Sequence, residues 1–102
     1  MMLKEGVRVL GIRPELTLAM MICEQVLSSH NKELVITSCI DGKHSIGSLH
    51  YAGAAFDVRI WYMNEDEQDT IVADLQEALG DDFDVVLEST HIHVEFQPKA
   101  AY

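Results

Sequence analysis

The sequence predicts an α+β domain: a small, mostly antiparallel sheet with helices packed on one face. Two apolar stripes at helical spacing, two segments that alternate apolar and polar residues, and a tight turn near the C-terminus point to it. With 102 residues, 48% of them hydrophobic and 24% charged, the chain has the composition of one globular domain over residues 1–102. It has no room for a second core.

The elements follow in order. Pro14 suits the first helical turn, and Leu16, Ala19, Met20, Cys23, Val26 and Leu27 behind it fall on one stripe. Ser28, Ser29, His30 and Asn31 end that helix. Residues 34–37, Leu-Val-Ile-Thr, read as a short buried strand. Residues 38–53 form a long irregular segment rich in Gly, Ser and His, and a loop of that length in so small a domain is usually functional. Residues 54–61 are a strand. Asn64 caps a second helix, whose first turn carries Glu65, Asp66 and Glu67, the sign its dipole favours. Ile71, Val72, Leu75, Ala78 and Leu79 give it a buried face, and Gly80 stops it. Residues 83–88 and 91–96 are two further strands, joined at Ser89-Thr90 as a hairpin.

Charge narrows the partners. The net charge is −10, and the seven Lys and Arg residues gather into no patch, which argues against nucleic acid and against an anionic membrane. Residues 65–69 are a solvated acidic stretch. Cys23 and Cys39 read as buried thiols, since their spacing fits neither a disulfide framework nor a zinc-thiolate site. Residues 16–22 are apolar, but Pro14 and Glu15 precede them and Glu24 follows, so they form neither a secretion signal nor a membrane span. Cytoplasmic synthesis without a signal peptide is the expectation.

Strand periodicity then sorts the residues that carry chemistry. Phe56, Val58 and Ile60 point one way, while Ala55, Asp57, Arg59 and Trp61 point the other. Ile92, Val94 and Phe96 share one face of the last strand, and His91, His93 and Glu95 share the opposite one. A two-residue turn at Ser89-Thr90 sets Glu88 across from His91. One face of the sheet therefore displays Asp57, Glu88, His91, His93 and Glu95 together. Imidazole and carboxylate are standard zinc ligands, and His50 from the long loop would complete a three-point site with a fourth position for water. Spacing alone leaves a polar surface patch as the alternative. Glu95 reads either as a group orienting a ligand or as a solvated edge charge. Trp61 and Tyr51 read as packing residues.

The segment Ser48-Leu49-His50-Tyr51-Ala52-Gly53-Ala54-Ala55-Phe56-Asp57 has the pattern S-x-H-x-x-G-x-A-x-D. It resembles the signature of the zinc D-Ala-D-Ala carboxypeptidases and phage L-alanyl-D-glutamate endopeptidases, a group whose fold is shared with the hedgehog signalling domain. The second motif of that family is H-x-H or E-x-x-H on a late strand, and His91-Ile92-His93 is similar to the first form. The resemblance covers residues 34–99 and is nearest to the short members encoded by phages and prophages.

The resemblance implies a hedgehog-like and DD-peptidase-like fold with zinc held by His50, Asp57 and His93. It makes His91 an auxiliary group for proton transfer or oxyanion support, and Ser48 a substrate-holding residue. Two departures stand out. Family members often carry an Arg after the first strand, where residues 37–44 here have none, so Lys43 or Arg59 takes the substrate carboxylate, although Lys lacks the bidentate fork. Secondly, Glu88-Ser89-Thr90-His91 also fits E-x-x-H, with His91 as the ligand. The general base is accordingly Glu88 or His91. The activity implied is zinc-dependent hydrolysis of peptidoglycan stem peptides, either at a terminal D-Ala or at an internal bond. A phage enzyme of this kind would reach the wall through a holin or within a virion. The alternative is a non-catalytic zinc-binding module or a phage structural protein of the same fold.

Overall fold

A computed structural model describes residues 1–39 and 54–98. Seven elements follow in order: β1 (Met2–Leu3), α1 (Pro14–Ser29), β2 (Val35–Ser38), β3 (Ala55–Arg59), α2 (Glu65–Leu79), β4 (Phe83–Leu87) and β5 (His91–Phe96). The class is α+β. The sheet has five strands in the order β1-β2-β3-β5-β4; β1 runs parallel to β2, and the other three pairings are antiparallel. β1 was outside the sequence expectation because two residues are too few to show an alternation. Its evidence is in the backbone: Met2 N–H donates to Leu34 O at 2.8 Å and Lys4 N–H to Ile36 O at 2.9 Å.

Both helices begin where local chemistry favours it. Pro14 stands at the start of α1, and Asn31 adopts a positive φ of 58° just beyond its end. For α2, Asn64 Oδ1 accepts from the Glu67 N–H at 2.9 Å and Glu67 Oε1 accepts from the Asn64 N–H at 3.0 Å, a reciprocal capping box. Gly80 closes α2 with φ 84° and ψ −173°, a conformation open essentially to glycine alone.

The core lies between the helices and one face of the sheet. Phe56 and Val58 of β3 and Ile92 and Val94 of β5 are fully buried with Leu16, Cys23 and Leu27 of α1 and Ile71 and Leu75 of α2. Cys23 and Cys39 are both buried free thiols, and burial pushes the Cys23 thiol up to about 12. The covered face consists of the residues assigned to it by alternation, so every odd-numbered residue of β3 and β5 faces away from the helices. A register shift between Ile36 and Ser38 sets Ser38 opposite Asp57.

The outer edge of the sheet is β4, and α2 covers part of it through one side chain. Gln76 Nε2 donates to Gly80 O at 3.1 Å and Phe83 O at 2.8 Å, while its Oε1 accepts from the Val85 N–H at 3.1 Å. One carboxamide thus supplies the donor and acceptor that a sixth strand would otherwise bring.

Candidate metal centre

Three strands build the site by register. Asp57 pairs with His93, Arg59 with His91 and Ala55 with Glu95 across β3 and β5. On the other side Val86 pairs with His93 and Asp84 with Glu95. Glu88 N–H donates to His91 O at 2.8 Å, so Glu88 does lie across the hairpin from His91. Period-two alternation then puts Asp57, His91, His93, Glu95, Glu88 and Asp84 on the face away from the helices.

Asp57 is the one charged residue in the buried class among the described residues, at 9% exposure. Burying a carboxylate without partners is costly, and here the imidazoles supply them. Asp57 Oδ1 lies 3.0 Å from His93 Nδ1 and 3.6 Å from His91 Nε2. Asp57, His91 and His93 each offer one ligand atom, and the three atoms lie within 4.8 Å of one another, so the group could hold a metal ion. Zinc bonds of about 2.0–2.1 Å at tetrahedral angles place neighbouring donors roughly 3.3 Å apart. The two measured separations bracket that value, and the donor set of one carboxylate and two imidazoles suits the ion.

The remaining ring nitrogens are also engaged. His93 Nε2 lies 3.1 Å from Glu95 Oε1, and His91 Nδ1 lies 2.9 Å from Thr90 Oγ1. The hydrogen bond to Asp57 raises the His93 pKa above the ordinary histidine value; partial burial opposes the rise, and the charges of Asp57 and Glu95 add to it. The space between Asp57 and His93 is bridged by their hydrogen bond.

The expected site residues divide into three groups. Asp57, His91 and His93 come together as one cluster. Glu88 is exposed, on the same face but outside that cluster. Arg59, two residues along β3 from Asp57, lies with its guanidinium 3.8 Å from the centre of the Trp61 ring, and its Nε is buried without a hydrogen-bond partner among the described residues. His50, Ser48 and Lys43, with Tyr51, lie outside the described residues. Trp61 corrects the packing expectation: it is 76% exposed, and its ring lies against the Arg59 guanidinium instead of in the core. With Met2, Lys32, Glu33, Val35, Arg59 and Tyr62 it lines a surface cavity. Asp84 and Thr90 were not singled out from the sequence. Asp84 was legible in the alternation of residues 83–88, whereas Thr90 matters only through the local fold of the turn.

No family model and no curated protein matches this chain.

Proposed function

We propose that this chain is a zinc-dependent peptidase acting on peptidoglycan stem peptides, of the D-Ala-D-Ala carboxypeptidase or L-alanyl-D-glutamate endopeptidase type, with a hedgehog-like fold. The closeness of Asp57, His91 and His93, each offering a ligand atom within 4.8 Å of the others, carries the reading. The S-x-H-x-x-G-x-A-x-D and H-x-H motifs support it, and they add His50 and Ser48 to the site.

Asp57 and His93 hold the ion in this reading, with His50, and zinc would supply Lewis acidity towards the scissile carbonyl and the attacking water. Glu88 or His91 takes up the water proton and returns one to the leaving amine. Arg59 is assigned to a peptide carboxylate through the outer nitrogens of its guanidinium, since its Nε is buried. Lys43 is the second cation assigned to that task. Trp61 extends the platform on which a peptide would lie.

The test is mass spectrometry of purified stem-peptide fragments after incubation with the zinc-loaded protein, with His93→Ala in parallel. Release of D-Ala, or a new amino terminus within the stem, that disappears in the variant supports the peptidase. Intact fragments from a protein that retains zinc favour the non-catalytic metal-binding module. That second reading draws on the acidic net charge of −10 and the absence of Arg from residues 37–44.

A further inference from the structure

We propose that the cavity between α1, the turn after α2 and the ends of β4 and β5 docks a basic segment of a partner protein, anchored by a large apolar side chain. The inference goes beyond the hydrolytic reading and does not depend on it. Phe83 and Phe96 pair in register and pack towards the core with Val85 and Val94, on the face of the sheet opposite Asp57.

The first observation is an apolar helix face with nothing over it among the described residues. A surface helix ordinarily turns one stripe to the core and fills the rest of its circumference with polar residues. In α1 the core stripe is Leu16, Ala19, Met20, Cys23 and Leu27, all buried. Leu18 and Met21 lie outside that stripe, 58% and 56% exposed, and at i and i+3 they adjoin one another. Leu18 is also a wall of a cavity of about 340 Å³, together with Ile22 and the half-buried rings of Phe83 and Phe96. Those rings stand 5.2 Å apart and tilted by 48°, an ordered aromatic wall. The volume is at the small end for ligand cavities, about 300–1,000 Å³. The apolar surface continues past it onto Met21, so a chain segment would cover both, whereas a small ligand would leave Met21 bare.

The second observation is the charge at the rim. Glu15 and Asp81 line the same cavity and are exposed, and no Lys, Arg or His lines it among the described residues. Glu24, one turn beyond Met21, is held differently: the amino terminus lies 3.1 Å from its carboxylate. The whole chain carries a net charge of −10, so a second copy would bring like charge to this rim. Lys or Arg flanking an apolar anchor matches it. Apolar wall and acidic rim together select a basic, amphipathic partner segment.

The experiment follows binding of a fluorescein-labelled helical peptide, rich in Lys and Leu with one central Trp, by anisotropy at physiological ionic strength. The double variant Leu18→Gln, Met21→Gln strips the apolar face at two exposed positions, where the fold is retained. It is expected to weaken binding about tenfold, the loss typical of anchor residues. The double variant Glu15→Gln, Asp81→Asn is expected to weaken it about two- to tenfold. Glu65→Gln with Asp69→Asn makes the same change in net charge at the start of α2, and is expected within about twofold of wild type because salt screens distant charges. In 1H–13C spectra the ring signals of Phe83 and Phe96 are expected to move on titration, while those of the fully buried Phe56 stay in place. A wild-type dissociation constant above about 1 mM, equal weakening by the two charge variants, or ring signals unmoved while the peptide binds would overturn the inference. So would a dimer of the chain alone in sedimentation equilibrium that is lost in Leu18→Gln, Met21→Gln, since a second copy would then cover the face.

Discussion

At the scale of single residues, Asp57 is the pivot of the site. It is a buried carboxylate that faces two imidazoles on the neighbouring strand, a group that could hold a metal ion. This gives the metal-free protein a defined pH response. His93 has its pKa raised in the folded state, chiefly by the hydrogen bond to Asp57, so its contribution to stability is fully present below the ordinary histidine pKa, about 6.5. That contribution is lost as pH rises through the folded-state pKa. The urea midpoint of the metal-free chain is expected to fall between pH 6 and pH 8.5, and the fall is expected to shrink in His93→Gln. On the zinc reading, affinity for the ion is expected to rise over the same range, because metal-binding imidazoles must be deprotonated. Arg59 and Trp61 illustrate a different limit. Alternation assigned both to the open face, yet only the structure shows the guanidinium lying against the ring, since stacking depends on where the strand ends.

At the scale of elements, the helices were the most legible from the sequence because their signals are local. Pro14, Asn64 and Gly80 each act on the backbone beside them, and each stands where its chemistry predicts. Asn64→Ala is expected to lower stability by about 1 kcal/mol, measured by chemical denaturation, since it leaves the Glu67 N–H without its acceptor. The strands were legible by face and less so by boundary. β2 runs one residue later than the apolar run suggested, because its pairing with β3 shifts at Ser38, and no sequence pattern marks such a bulge. Gln76 went unremarked for a related reason. On its helix it is one polar residue among several, and its importance arises only because β4 lies alongside. Gln76→Leu is expected to destabilise the fold by about 1–3 kcal/mol through the unsatisfied Val85 N–H and Phe83 C=O. It also bares a strand edge, so sedimentation is expected to show concentration-dependent association that the wild type lacks.

At the scale of the whole molecule, the domain places its core on one side of a single sheet and its titratable chemistry on the other. Among the described residues, no helix is long and apolar enough to cross a membrane. The division into two faces was readable from period-two alternation, but the closeness of Asp57 to the two histidines was not. It depends on β3 lying directly beside β5, a pairing that connects residues 36 apart in sequence. A ligand that binds only the folded chain stabilises it by mass action. At a free zinc concentration a hundred times the dissociation constant, the gain is about 2.7 kcal/mol. For a domain of this size that corresponds to a rise in Tm on the order of 10 °C. Scanning calorimetry with zinc, followed by chelator, is expected to show the rise and its reversal.

The seam between β3 and β5 has a kinetic meaning as well. His91 and His93 are two residues apart and can meet an ion on a disordered chain, whereas Asp57 joins them only after the C-terminal hairpin has docked against the third strand. On the zinc reading, tight uptake of the ion is expected to be a late event whose rate clocks completion of the sheet. In stopped-flow refolding, the spectroscopic signal of Co2+ capture by all three residues should trail the helical signal. A slowing of hairpin docking by a substitution such as Val94→Ala should delay both the capture of the ion and the burial of the core by the same interval.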